Sequence, residues 1–146
     1  MLLASIVLIP FAGSLVAALM PQNARNRESW LAFLVVVCGL VVTAALFPLV
    51  TEGEVLREEY AWLPSQGLLF VLRVDGLAWV FTMLVLVIGL LVVLYARYYM
   101  SPKDPVPRFF SFLLAFMGSM LGVVLSGNLV QLVVFWELTS LTSFLL

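Results

Sequence analysis

The chain has 146 residues, 64% of them hydrophobic and 10% charged, with a formal net charge of −1 and a mean hydropathy of +1.20. A soluble domain of this size has too much surface to carry that composition, so the class is an integral membrane protein. With no histidine, a single cysteine and no basic stripe, the sequence argues against a metal centre, an internal disulfide or a nucleic-acid partner, and no cofactor is expected.

Residues 2–20 read as a retained transmembrane helix rather than a cleaved leader. No positive charge precedes the apolar run, while Arg25 and Arg27 follow it. Pro10 and Gly13 fall mid-span, where a packed bundle tolerates a kink. A short polar loop (21–29) leads to a second span over about 30–50, with Trp30 as its interface anchor. The valines in that span do not argue for a strand, because only a helix or a closed barrel crosses a bilayer. Cys38 reads as a small buried hydrophobe. Pro48 and Pro64 bracket the exit.

The loop 51–75 is long and acidic, with Glu52, Glu54, Glu58, Glu59 and Asp75 against Arg57 and Arg73. Its end alternates, placing Phe70, Leu72 and Val74 on one side and Val71, Arg73 and Asp75 on the other. That pattern predicts a small strand or hairpin capping the bundle. Asp75 is placed to cap the next helix through its side-chain oxygen.

A third span over 77–98 ends in Tyr95, Arg97, Tyr98 and Tyr99, an aromatic and basic belt suited to a membrane interface. A proline-rich turn carrying Lys103, Asp104 and Arg108 forms a stiff connector. The fourth span, 109–125, contains Gly118-Ser-Met-Leu-Gly122, a spacing that lets another helix approach Gly118 and Gly122 closely. Ser126-Gly127-Asn128 is a tight turn into an antiparallel fifth span, 129–146. The expected fold is therefore an all-α membrane protein, a polytopic bundle of five transmembrane helices with a short extended segment in its outer loop. Arg25, Arg27, Arg97, Lys103 and Arg108 fall on one side and the acidic loop on the other. The excess of positive charge puts that side in the cytoplasm and the N-terminus outside it.

The fifth helix carries one carboxylate, Glu137, in a run otherwise apolar enough to cross a bilayer. At ~1.5 Å of rise per residue it lies about 13 Å in from Asn128, near the midplane of a hydrocarbon core about 30 Å thick. A charge at that depth costs roughly 2.5 kcal/mol or more and is by default a functional group facing protein or water. Helical spacing places it with Val133, Val134, Ser140, Leu141 and Phe144. The hydroxyls of Thr139 and Ser140 can support a carboxyl or bond back to their own helix. No span carries a central cation, so a partner for Glu137 must come from outside the chain. A membrane bundle with one buried acid implies a proton or cation path.

Val74-Asp75-Gly76-Leu77-Ala78, Leu94-Tyr95-Ala96-Arg97-Tyr98-Tyr99-Met100, Met117-Gly118-Ser119-Met120-Leu121-Gly122-Val123 and Phe135-Trp136-Glu137-Leu138-Thr139-Ser140 together resemble one family. It is the family of large A subunits of Mrp-type (Pha-type) cation/proton antiporters, similar in turn to the proton-pumping antiporter-like subunits of respiratory complex I. The Leu-Thr-Ser after Trp136-Glu137 leans toward the Mrp branch. The resemblance implies that Glu137 matches the glutamate the family pairs with a lysine on a later helix, on the proton path. It implies an N-terminal fragment of a longer subunit, set in the cell's inner membrane. It also implies other membrane subunits as partners, with monovalent cations and protons as cargo. The alternative is a subunit of a redox-driven pump.

Overall fold

The computed structural model describes residues 2–21, 25–53, 55–63, 68–99 and 106–146. They are mostly helical: α1 (Leu2–Ala18), α2 (Arg25–Ala45), the short α3 (Phe47–Thr51), α4 (Gly76–Tyr99), α5 (Val106–Leu125) and α6 (Leu129–Leu145). Between α3 and α4 stand two strands, β1 (Leu56–Leu63) and β2 (Leu68–Val74), paired antiparallel with Leu56 opposite Val74 and Tyr60 opposite Phe70. Lys103, Pro64 and Glu54 lie outside the described residues, as does the side chain of Arg25.

Three helical segments, Asn26–Thr51 (α2 continuing through α3), α4 and α5, are long and apolar enough to cross a membrane. The first and fifth expected spans are shorter than their sequence reading. α1 and α6 have 17 residues each, about 25 Å at 1.5 Å per residue, against a core of about 30 Å.

α2 begins at Arg25 rather than near Trp30. Its polar first turn is helical, and Glu28 falls in line with the inward stripe of Ala32, Val35 and Val36. Trp30 is therefore not the first residue of the helix, although its indole meets the Arg97 guanidinium 5.6 Å away on α4. α2 stops at Ala45, and Pro48 occupies the first turn of α3, where its missing N–H costs nothing. Cys38 is exposed rather than buried. The periodicity that turns Val36 and Gly39 inward turns Cys38 out. α5 starts at Val106, so Pro107 and Arg108 belong to its first turn rather than to the loop.

The core lies where α5 packs between α1 and α6, with Phe110, Leu114, Leu121 and Leu125 fully buried. α1 runs antiparallel to α5, and α2 to α4. Ser14 on α1 donates to the Ser111 carbonyl on α5 (2.7 Å), and Ser111 donates back to the Ser14 carbonyl (2.9 Å). The Trp79 indole N–H on α4 reaches the Thr43 carbonyl on α2 (2.7 Å). The start of α2 thus lies beside the end of α4, and the hairpin stands at the opposite end of the bundle.

In the hairpin, 68–74 pairs with a second full strand supplied by 56–63. The alternation along β2 fails at Val71, which is buried together with Leu72 and Val74. The turn after α5 explains it: Gly127 donates its N–H to the Val71 carbonyl (2.9 Å), and its missing side chain leaves room for the Val71 methyls. Asp75 caps α4 as its chemistry allows, accepting the Ala78 N–H at 2.9 Å.

Candidate functional site

α6 owes its start to Asn128, whose side chain accepts the Gln131 N–H at 2.8 Å, satisfying one of the orphan donors of a first helical turn. The buried Gln131 accepts the Val71 N–H at 2.8 Å through its amide oxygen. That contact fixes the top of α6 against β2. Gln131, Phe135 and Thr142 form the inward stripe of the helix. Phe135 fills the space left by the absent side chain of Gly122 on α5.

Glu137, at the centre of α6, falls on the opposite face with Val133, Val134, Ser140, Leu141 and Phe144, all exposed. Its carboxylate has no hydrogen bond or ion pair among the described residues. The face around it is apolar apart from Ser140, with Trp136 exposed alongside. A lone carboxylate on an apolar helix face must meet either water or groups supplied from outside these residues. Thr139 and Thr142 bond back to their own helix, at the Trp136 carbonyl (2.5 Å) and the Leu138 carbonyl (2.7 Å). Thr139 is thereby committed to its own backbone, whereas the exposed Ser140 sits one turn beyond Glu137 on the same face. A side chain at Gly118 would meet the Phe11 ring of α1 at 2.9 Å, and one at Gly122 would collide with Phe135. The two glycines therefore serve different neighbours.

Two further carboxylates have roles that a reading of charge along the sequence misses. Glu58 on β1 accepts the first-turn N–H groups of Leu3 (3.0 Å) and Ala4 (3.3 Å) and the Tyr60 hydroxyl (2.9 Å). Burial raises its carboxyl, while these hydrogen bonds favour the charged form and contribute to holding it below the ordinary value of 4.5. The hairpin therefore caps α1 as well as bracing α6. Glu28 is fully buried on α2, with neither oxygen hydrogen-bonded. Its signal was the helical spacing to Ala32, Val35 and Val36, obscured because the preceding residues read as a polar loop. Among the described residues, no group of three or more metal-ligating side chains gathers.

The family model described as "NADH-Ubiquinone oxidoreductase (complex I), chain 5 N-terminus" matches residues 62–110. The chain is 57% identical over 145 residues to the A/B subunit of a probable K(+)/H(+) antiporter of Rhizobium meliloti, covering 99% of this chain and 14% of that protein. It is 40% identical over 141 residues to the A subunit of the Na(+)/H(+) antiporter of Alkalihalophilus pseudofirmus, covering 96% and 17%. It thus spans about a seventh to a sixth of the length of these antiporter subunits. Its fold resembles a chain of the Mrp complex from Dietzia (TM-score 0.75, 30% identity, covering 99% of this chain and 15% of that one). It also resembles a chain of the archaeal membrane-bound sulfane sulfur reductase, a respiratory membrane complex (TM-score 0.82, 28% identity, covering 99% and 22%).

Proposed function

From the premise that this chain belongs to the family of antiporter A subunits and their complex I relatives, we propose that it forms the N-terminal transmembrane part of a multisubunit cation/proton antiporter. The complex sits in the cell's inner membrane and exchanges sodium or potassium for protons. Glu137 carries protons on its path. The observation that supports this reading is the placement of a single unpartnered carboxylate at the centre of an apolar α6 face. The cationic partner and the remaining wall of the path then come from later helices or other membrane subunits. In this reading all five long apolar segments span the bilayer, α1 and α6 by lying where the hydrocarbon layer is thin or by local thinning. The N-terminus and hairpin lie outside the cytoplasm, and the end bearing Arg27, Arg97 and Arg108 lies within it.

The test is a Glu137→Asp and Glu137→Ala pair in the complete complex. Aspartate keeps a titratable proton but draws it back by one methylene, so partial exchange with an altered pH dependence is expected. Alanine removes the proton, so exchange is lost while the amount of subunit in the membrane holds. Equal activity of both variants and the parent would remove Glu137 from the path.

A second reading, a proton-pumping subunit of a redox-driven complex, is favoured by the complex I description of the family match and by the respiratory-complex neighbour. Co-purification separates the two. Small hydrophobic antiporter subunits are expected; iron–sulfur subunits in their place would establish the redox reading.

A further inference from the structure

Glu28 is the one carboxylate among the described residues whose oxygens are both buried with no hydrogen-bond partner. It stands in the first turn of α2, at the end of the bundle away from the hairpin, on the inward stripe that continues through Ala32, Val35 and Val36. Higher on that stripe α2 meets α1, where Val35 packs at Gly13, and α4, where Leu86 packs at Gly39.

Among the described residues, none of the charged groups at this end pairs with Glu28; the side chains of Arg25, Lys103 and Asp104 lie outside them. α1 has no ionisable side chain. On α4, Arg97 lies against the rings of Trp30 (5.6 Å) and Tyr98 (5.8 Å). On α5, Arg108 lies against the Phe112 ring (5.9 Å), and Arg27 on α2 itself is exposed. None of these makes an ion pair with Glu28. An ionised carboxylate buried without a counter-charge is strongly unfavourable, and among the described residues none is supplied, so the site favours uptake of positive charge. An alkali cation needs several oxygen ligands, and no described oxygen donor lies within hydrogen-bond reach of Glu28. A proton needs only the carboxyl.

We propose that Glu28 is a proton-binding site at the basic end of the bundle, separate from Glu137. Binding converts the carboxylate to a neutral carboxylic acid. The two acids do not share a pocket: Glu28 faces the interior from α2, whereas Glu137 faces outward from α6. The site stands whatever Glu137 does.

The test uses the complete complex in membrane vesicles, in a Glu137→Gln background. Dicyclohexylcarbodiimide reacts with protonated carboxyls in apolar surroundings and leaves a stable N-acylurea, which peptide mass mapping locates. The adduct is expected at Glu28 at neutral pH, unchanged when sodium or potassium chloride is added. An unmodified Glu28, with other carboxyls of the complex labelled, would mean the group is held ionised and would overturn the proposal. Protection by sodium or potassium would overturn it in favour of an alkali-cation site. Glu28→Gln reproduces the protonated acid in shape, so the variant subunit should remain at the parent abundance. Loss of the subunit would mean the fold requires an anion there, and would also overturn the proposal.

Discussion

The Glu58 carboxylate joins β1 to the first turn of α1 by accepting two backbone N–H groups that no helical carbonyl can reach. Its carboxyl is held below 4.5, so its stabilisation is complete above that value. It disappears as the pH falls through the lower folded value. Glu58→Ala should therefore destabilise the detergent-solubilised complex by about 0.5–2 kcal/mol near neutral pH, the cost of a lost helix cap. The difference from the parent in thermal melts should shrink on acidification. A gap that stayed constant with pH would mean the side chain acts by packing rather than charge. Neither Glu58 nor Glu28 could be assigned such a role from charge alone, because their surroundings depend on which strand or helix turn each occupies. The apolar helix face that carries Glu137, though not its role, was legible for the opposite reason: its neighbours in sequence are themselves apolar.

At the scale of elements, α5 is the shared wall of the bundle, and its glycines set how closely two neighbours approach. Gly118 admits Phe11 of α1 and Gly122 admits Phe135 of α6. Leucine at either position should reduce assembled subunit through overpacking that typically costs about 1–3 kcal/mol. Gly118→Leu should loosen α1 and Gly122→Leu should loosen α6, read as faster proteolysis of the corresponding helix. Normal assembly of the doubly substituted subunit would show that the helices re-seat without strain. Helices in the apolar runs were legible because length and hydropathy leave no other structure in a bilayer. Their ends were not. The starts of α2 and α5 contain Glu28 and Pro107, residues that resemble loop sequence until the inward stripe or the first-turn tolerance for proline is taken into account. The partner strand β1 was obscured because its alternation runs through charged Arg57, Glu58 and Glu59. The bonds to Val71 from Gln131 and Gly127 are long-range pairings that no local pattern carries.

For the molecule as a whole, the antiparallel helices gather Arg27, Arg97 and Arg108 at one end and the hairpin at the other. Cysteines introduced at Asn26 and Thr51, both exposed positions, in a Cys38→Ser background should report that asymmetry. In intact cells an impermeant thiol reagent should modify the Thr51 variant and spare the Asn26 variant; the reverse pattern would invert the orientation proposed here. In the proposed reading ion exchange belongs to the complete assembly, since among the described residues nothing covers the apolar face that carries Glu137. The central claim is that protons cross by way of that carboxylate. Glu137→Gln keeps the side chain's shape and hydrogen bonding while removing its proton. The measurement is cation-dependent collapse of a pH gradient in inverted vesicles containing matched amounts of parent or Glu137→Gln complex. Loss of sodium- and potassium-dependent collapse in the glutamine variant is the predicted result; exchange at the parent rate would contradict it.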